Sequence, residues 1–187
     1  MDDAKRKTVR KMNDGKKFEL AFKNSVPDYC LTIRLNDSAQ AFKKSNLARF
    51  TLKNKCDFII FNSVLQVLYC LELKSTKYKS MSFEDIYSDE SQEKMIHKHQ
   101  ILALRDFSTF ENVVAGFVFN FRDEANKMER TYFQEINDFL KMCKTINKKS
   151  FNEMDLIMAN AVKLDGIKKR TNYTWNIEKI LEFSMEV

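Results

Sequence analysis

The stretch that decides the fold is residues 56–74, CDFIIFNSVLQVLYCLELK. Two apolar runs rich in β-branched and aromatic residues surround a polar Asn-Ser pair. This pattern is typical of two strands joined by a tight turn, so it predicts a β-hairpin. We place a four-residue loop at residues 62–65, which gives predicted strands over residues 56–61 and 66–74.

That loop fixes which side chains share a face of the hairpin. It sets Asp57 opposite Cys70 and places Glu72 diagonally beside Asp57. Antiparallel partners lie on one face, and so do residues two apart, so Asp57, Glu72 and Lys74 are predicted to project together. The opposite face is predicted to be core and carries Val67, Tyr69, Leu71 and Leu73.

Two carboxylates and an ammonium group on an apolar hairpin suggest a particular chemistry. Carboxylate oxygens are the ligands that Mg²⁺ and Mn²⁺ prefer, and such an ion can activate water and bind a phosphate oxygen. Lys74 could orient that water or stabilise the charge of a transition state. Alternatively, Glu72 and Lys74 form a solvated ion pair on an edge strand, and Asp57 caps a turn. The combination favours a site, because charges within apolar strands are costly unless they are paired or metal-bound.

The rest of the chain predicts a mixed β-sheet flanked by helices, that is, an α/β fold. Residues 113–121 are the most apolar segment and are predicted to form a central strand with Phe117, Phe119 and Phe121 in the core. Further strands are predicted at residues 29–36 and 131–134, helices from Phe18 to near Pro27 and at residues 92–107, 136–146 and 151–162, and a strand or helix within residues 173–183. In the predicted helix over residues 151–162, Met154, Ile157, Met158 and Ala161 share one side.

Composition excludes several classes of protein. The 187 residues carry 32 Lys and Arg against 26 Asp and Glu, a net charge of +6 that fits a polyanionic partner. We expect one domain over residues 18–187 after a basic arm at residues 1–17. Neither a membrane span nor a signal peptide is expected. Four cysteines without a CxxC pair indicate reduced thiols and a cytoplasmic protein, and two histidines make a catalytic triad or a histidine metal site improbable.

Asp57 and Glu72-Leu73-Lys74 match the PD-(D/E)xK nuclease signature, with Cys56 at the position of the proline. The similarity continues through residues 72–83, ELKSTKYKSMSF, and a helix that opens with His99-Gln100. This ordered series resembles the core of RecU-type Holliday junction resolvases.

Gly15-Lys16-Lys17-Phe18-Glu19 is similar to the N-terminal helix of that family, so the resemblance covers most of residues 15–122. It implies a restriction-endonuclease-like core and a homodimer with two sites. Such a dimer would match the near two-fold symmetry of a four-way DNA junction. The resemblance is to a phage or prophage form of the enzyme.

The resemblance also implies roles for individual residues. Asp57 and Glu72 would bind Mg²⁺ or Mn²⁺ with the Leu73 carbonyl, Glu19 would add an acid directly or through water, and Lys74 would be the catalytic lysine.

Gln100 would support the metal site from its helix, and Thr76 would lie near the scissile phosphate. The further residues predicted to contact DNA are Lys77, Lys79, Lys43, Lys44, Arg49, Lys5, Arg6 and Lys7. The activity implied is metal-dependent cleavage of DNA junctions by paired nicks, in recombination and repair. Two alternatives stay open: a restriction or repair endonuclease of the same fold, and a non-catalytic DNA-binding accessory protein.

Overall fold

A computed structural model describes residues 13–35, 54–88, 93–170 and 172–183. The main strands are β1 (Cys30–Arg34), β2 (Phe58–Asn62), β3 (Val67–Thr76), β5 (Val113–Asp123), β6 (Met128–Glu135) and β8 (Val162–Leu164). Shorter strands are β4 (Ser80–Ser82), β7 (Ser150–Asn152), β9 (Gly166–Lys168) and β10 (Tyr173–Trp175). The helices are α1 (Asp14–Lys23), α2 (Lys98–Phe107), α3 (Ile136–Thr145), α4 (Glu153–Met158) and α5 (Glu178–Glu182).

The six main strands form one mixed sheet in the order β1-β2-β3-β5-β6-β8. The β3–β5 pair is parallel, and the other four pairs are antiparallel. A parallel pair needs a crossover connection, and α2 lies on the one between β3 and β5. The mixed sheet flanked by helices is confirmed, and so is the central position of the strand predicted at residues 113–121.

A hydrophobic layer covers each face of the sheet. One face, here called the α2 face, packs Phe117 and Phe119 against Ile101 of α2 and Phe139 of α3. The opposite α1 face packs strand residues against Phe18 and Phe22 of α1, Trp175 of β10 and Ile180 of α5. Phe117, Phe119 and Phe121 are all buried, as predicted.

Gly116 lies in β5 opposite Glu135 of β6. A Cβ atom at this position would collide with the carbonyl oxygen of Gln134 and lie 2.7 Å from a ring carbon of Phe133. The contact involves backbone, which cannot move aside without breaking the strand pairing. Only glycine therefore permits the central strand to pass β6 at this point.

The hairpin differs from its predicted register by two residues. Asn62 pairs with Val67 and Phe58 with Leu71, so the four-residue loop is at residues 63–66 rather than 62–65. Gln66 adopts a φ of 57°, the left-handed conformation that ends this loop. An even shift leaves every side chain on its predicted face, so the predicted grouping of Asp57, Glu72 and Lys74 is unaffected.

The predicted starts of two helices were wrong. Helix α1 begins at Asp14, inside the predicted arm, because the side chain of Asn13 accepts a hydrogen bond from the Lys16 N–H and caps the helix. Residues 1–12 of the predicted arm and residues 36–53 lie outside the described residues. Helix α2 begins at Lys98 rather than residue 92, since residues 95–97 make a bend and a β-bridge.

The segment at residues 151–162 is not one helix. It forms β7, the short helix α4 and the start of β8, and Leu156 is the buried residue of α4. Met154, Ile157 and Met158 are exposed, which reverses the predicted apolar side. In this segment the buried residues are Phe151 of β7 and Leu156 of α4, and not the residues that the helical spacing placed on one side. Among the described residues, no helix is long and apolar enough to cross a membrane.

Candidate active site

Asp57 is fixed at the end of the hairpin, one residue before β2. Its backbone N–H donates to the Leu71 carbonyl at 3.0 Å. Its Oδ2 accepts a hydrogen bond from the Leu73 N–H at 2.8 Å. Because Phe58 pairs with Leu71, the same register sets Asp57 opposite Glu72. The two carboxylates therefore belong to adjacent strands at the same level of the α2 face.

Glu72 is the most deeply buried acid of this group. It is 4% exposed although it lies in the middle of the sheet, between two apolar core residues. The Nζ atom of Lys74 lies 3.0 Å from Oε1 of Glu72, and the Lys74 side chain is only 16% exposed. A carboxylate in such a position requires hydrogen bonds or counter-charges, and Lys74 supplies one of each.

Gln100, on α2, donates from Nε2 to the same Oε1 atom of Glu72. Its Oε1 accepts the backbone N–H of His97 at 3.1 Å, so the amide is held at both ends. This contact with Glu72 is consistent with the supporting role predicted for Gln100. We define the candidate site as Asp57, Glu72, Lys74 and Gln100. Its charged groups are two carboxylates and one ammonium, which leaves an excess of one negative charge.

The start of α2 is held by Glu84. Its carboxylate contacts Nδ1 of His97 at 2.9 Å and accepts the Lys98 N–H at 2.6 Å. Burial opposes ionisation of Glu84, but the hydrogen bonds from His97 and Lys98 outweigh it, and the pKa of Glu84 is lowered. His97 therefore helps to fix the start of the helix that carries Gln100.

Glu19 does not complete an acidic cluster. It lies on α1, and its Oε2 accepts hydrogen bonds from Nε of Arg34 at 2.9 Å and from the same guanidinium's second nitrogen. Within residues 13–35, 54–88, 93–170 and 172–183, no three His, Cys, Asp or Glu side chains come together as a metal site. The expected third acid is therefore held by an arginine of β1.

The residues predicted to contact DNA are placed unevenly. Lys77 and Lys79 are exposed in the turn after β3. Thr76 is buried, and its hydroxyl accepts the Tyr78 N–H at 3.1 Å, so it fixes this turn instead of presenting a surface. The other predicted contacts lie outside the described residues: Lys43, Lys44, Arg49, Lys5, Arg6 and Lys7.

Comparison with known proteins gives one close relative. The chain is 35% identical over 181 residues to the SPbeta prophage-derived uncharacterized protein YotM of Bacillus subtilis (strain 168), and the match covers 90% of this chain and 85% of YotM. The chain belongs to the YotM family. No protein-family model matches the sequence of this YotM-family protein.

Among solved structures, Hjc of Archaeoglobus fulgidus, a Holliday junction resolvase, aligns with a TM-score of 0.40 and 12% sequence identity. The alignment covers 72% of this chain and 83% of Hjc. A TM-score and a sequence identity this low support no conclusion about the YotM-family chain.

The YotM-family chain has a second buried polar cluster, which the sequence reasoning missed. On the α1 face, Asn120 accepts a hydrogen bond from Ser75 Oγ at 2.8 Å. Its Nδ2 donates to Glu129 Oε2 at 3.1 Å and to Thr131 Oγ1 at 3.0 Å. Arg122 donates to Ser75 Oγ at 3.1 Å. We call these five residues the Asn120 network. A single asparagine among the three phenylalanines and three valines of β5 was the signal for it.

Two thiols lie under the candidate site. Cys56 and Cys70 are buried on the α2 face next to Asp57 and Glu72. A hydrogen bond with Cys70, burial and the neighbouring acids all raise the pKa of Cys56, so this thiol stays protonated. The predicted reduced state fits, because all four cysteines are free. Cys56 fills the position of the motif's proline as a small hydrophobic group.

Proposed function

We propose that this YotM-family protein is a metal-dependent DNA endonuclease, most specifically a RecU-type Holliday junction resolvase. One observation carries the proposal: Asp57, Glu72 and Lys74 meet at the end of one hairpin, and Gln100 reaches Glu72 from the helix that follows. A surface ion pair would need neither the burial of Glu72 nor the second donor from α2. Structural support alone does not require two neighbouring carboxylates, as the Asn120 network shows with an amide and two hydroxyls at its centre.

The donor set fits a hard divalent cation. Asp57 and Glu72 offer carboxylate oxygens from adjacent strands, and the excess negative charge of the site favours a cation. The Leu73 N–H donates to Asp57, and the N–H and C=O of one strand residue point toward the same edge, so the Leu73 carbonyl faces the Asp57 side. Asp57, Glu72 and the Leu73 carbonyl would thus hold Mg²⁺ or Mn²⁺. Such an ion lowers the pKa of a bound water and offsets phosphate charge.

The remaining residues have roles that follow from their positions. Lys74 places an ammonium group beside Glu72, where it can hold the attacking water or stabilise the extra charge on phosphorus. Gln100 keeps the Glu72 carboxylate in one orientation. Water would attack the phosphorus in line with the leaving 3′ oxygen, which leaves 5′-phosphate and 3′-hydroxyl ends. Two copies of the chain in a homodimer would nick a four-way junction at symmetric positions.

The test is cleavage of a labelled four-way junction, a matched linear duplex and a flap, each with Mg²⁺, with Mn²⁺ and with EDTA. We expect paired nicks in the junction that disappear with EDTA and with Asp57→Asn. Asp106→Asn is the control, because Asp106 is an exposed aspartate of α2 whose ion pair is with the adjacent Arg105. It should cut at the wild-type rate, which shows that removing a carboxylate elsewhere has no effect. Loss of cleavage in the identically prepared Asp57→Asn rules out a contaminating nuclease.

Other outcomes separate the alternatives. Metal-dependent cleavage of duplex or flap in place of the junction would keep the nuclease and reject the resolvase. DNA binding without cleavage under either metal would reject the enzyme and leave a DNA-binding accessory protein.

A further inference from the structure

The turn between β3 and β4 presents an aromatic ring to solvent directly after the candidate site. Tyr78 is 65% exposed, and it lies between the exposed lysines Lys77 and Lys79. The Nζ atom of Lys77 lies 5.8 Å from the centre of the Tyr78 ring. The Tyr78 N–H is bound by the buried hydroxyl of Thr76, so the backbone under the ring is anchored to the core.

The ring is close to the proposed cleavage site along the chain. Tyr78 follows Lys74 by four residues, and a strand rises about 3.3 Å per residue, so their Cα atoms are at most about 13 Å apart. Successive nucleotides of one strand in duplex DNA rise about 3.4 Å. A phosphate held at Lys74 would therefore bring bases within about four nucleotides into reach of Tyr78.

The surface beside Tyr78 suits a base and a phosphate together. A groove of about 800 Å³ runs from this turn to α4. Its far side carries Met154 and Ile157, which are 62% and 52% exposed. Two of the acids that line the groove, Glu124 and Glu153, are paired with Arg122 and Arg130. Apolar surface thus faces an aromatic ring, with lysines beside it, which is the combination that binds unpaired nucleotides.

We propose that Tyr78 stacks on an unpaired base near the scissile phosphate, so that the protein prefers DNA with unstacked bases at a branch point over continuous duplex. This inference rests on the proposed function and assigns a specificity residue to the same site. In a continuous duplex both faces of each base are already stacked, so the Tyr78 ring gains little there. At a branch or gap, one base face is open, and the Tyr78 ring can cover it.

The experiment measures binding of the full chain in EDTA, where cleavage does not interfere, by fluorescence anisotropy. The DNAs are a junction with two unpaired nucleotides at the branch and a fully paired duplex. Tyr78→Ala should weaken binding of the branched DNA about 5- to 150-fold, as loss of one stacked base does, and leave duplex binding unchanged. Tyr78→Phe keeps the ring and should bind like the wild type.

Tyr87→Ala is the matched control. Tyr87 is 73% exposed, and Nζ of Lys144 lies 5.9 Å from the centre of its ring. Tyr87 lines a different cavity, which lies beside α3. It should bind both DNAs like the wild type. A 2-aminopurine base at the branch adds a direct readout: its fluorescence should be quenched by the wild type and by Tyr78→Phe, and not by Tyr78→Ala.

The outcomes distinguish this inference from the proposed function. If the wild type cuts DNA and Tyr78→Ala binds branched DNA equally well, stacking by Tyr78 is rejected and the nuclease stands. An equal loss of affinity on duplex and branched DNA would also reject stacking. If the wild type binds neither DNA in EDTA and cuts none with Mg²⁺ or Mn²⁺, both proposals fail.

Discussion

Two buried polar clusters lie on opposite faces of the sheet and share the central strand β3. The candidate site on the α2 face holds two carboxylates, one ammonium group and one amide. The Asn120 network on the α1 face consists mainly of an amide and two hydroxyls, with Arg122 and Glu129 at its edge. Both clusters lie within sheet positions where an apolar residue would pack well.

The comparison shows how a polar cluster that stabilises the fold differs from one that is suited to catalysis. Asn, Ser and Thr each donate and accept, so the Asn120 network can satisfy its groups without any net charge. Two carboxylates on adjacent strands repel each other, and packing of the sheet does not require them. Such an arrangement is expected where a cation or a charged substrate completes the balance.

Glu72→Gln tests this difference between the two clusters and should have the largest effect. Gln retains an acceptor for Lys74 and Gln100 but loses the charge, so we expect cleavage to fall by about 10³-fold. The free energy of unfolding should change by less than about 1.5 kcal/mol, because the side-chain volume is kept. Cleavage rates and urea unfolding test both parts, with the exposed Glu111→Gln as control. A collapse in stability would show that Glu72 is structural.

Asn120→Ala should have the opposite profile. It removes two donated bonds and one accepted bond and leaves the partners unpaired, so we expect a loss of about 3 kcal/mol in the free energy of unfolding. Cleavage by the folded fraction should persist. Asn126→Ala removes an asparagine whose bonds to Asp123 are exposed, and should cost less than about 0.5 kcal/mol. Lost cleavage with unchanged stability would contradict the division between the two faces.

The smallest expected effect concerns Glu129, the acid of the Asn120 network. Burial raises the pKa of Glu129 above 4.5, and the Asn120 hydrogen bond offsets only part of this. An acid whose folded pKa is raised adds stability below its unfolded pKa and loses it as pH rises through the folded pKa. Glu129→Gln should therefore gain stability relative to wild type as pH rises above about 4.5, by about 0.5 kcal/mol. The free energy of unfolding of both proteins is measured across this pH range. If it changes with pH equally in both, the expectation is wrong.

Much of the α2 face was predictable from the sequence. Alternation of apolar residues with acids in residues 56–74 placed Asp57, Glu72 and Lys74 together, and a two-residue error in the loop left this grouping intact. Gln100 could be assigned only through the family resemblance, because its contact with Glu72 joins residues 28 positions apart. Neither strand alternation nor helical spacing carries information about such a contact.

The errors occurred where tertiary contacts outweigh local pattern. Glu19 stays a predicted site acid, and in the structure Arg34 of β1 holds its carboxylate. Residues 151–162 have helical spacing, yet pairing of β7 with β4 turns their first residues into a strand. The Asn120 network needed the register of three strands, which no local pattern gives.

The crossover position of α2 also has a consequence for folding. The hairpin can form from local contacts, and it brings Asp57 and Glu72 together early. Gln100 joins them only when β5 docks beside β3, since α2 connects these strands. The candidate site therefore reaches its final form in the step that closes the central sheet. We expect a partly made chain to hold the acids without a working site, so activity should report on completed folding.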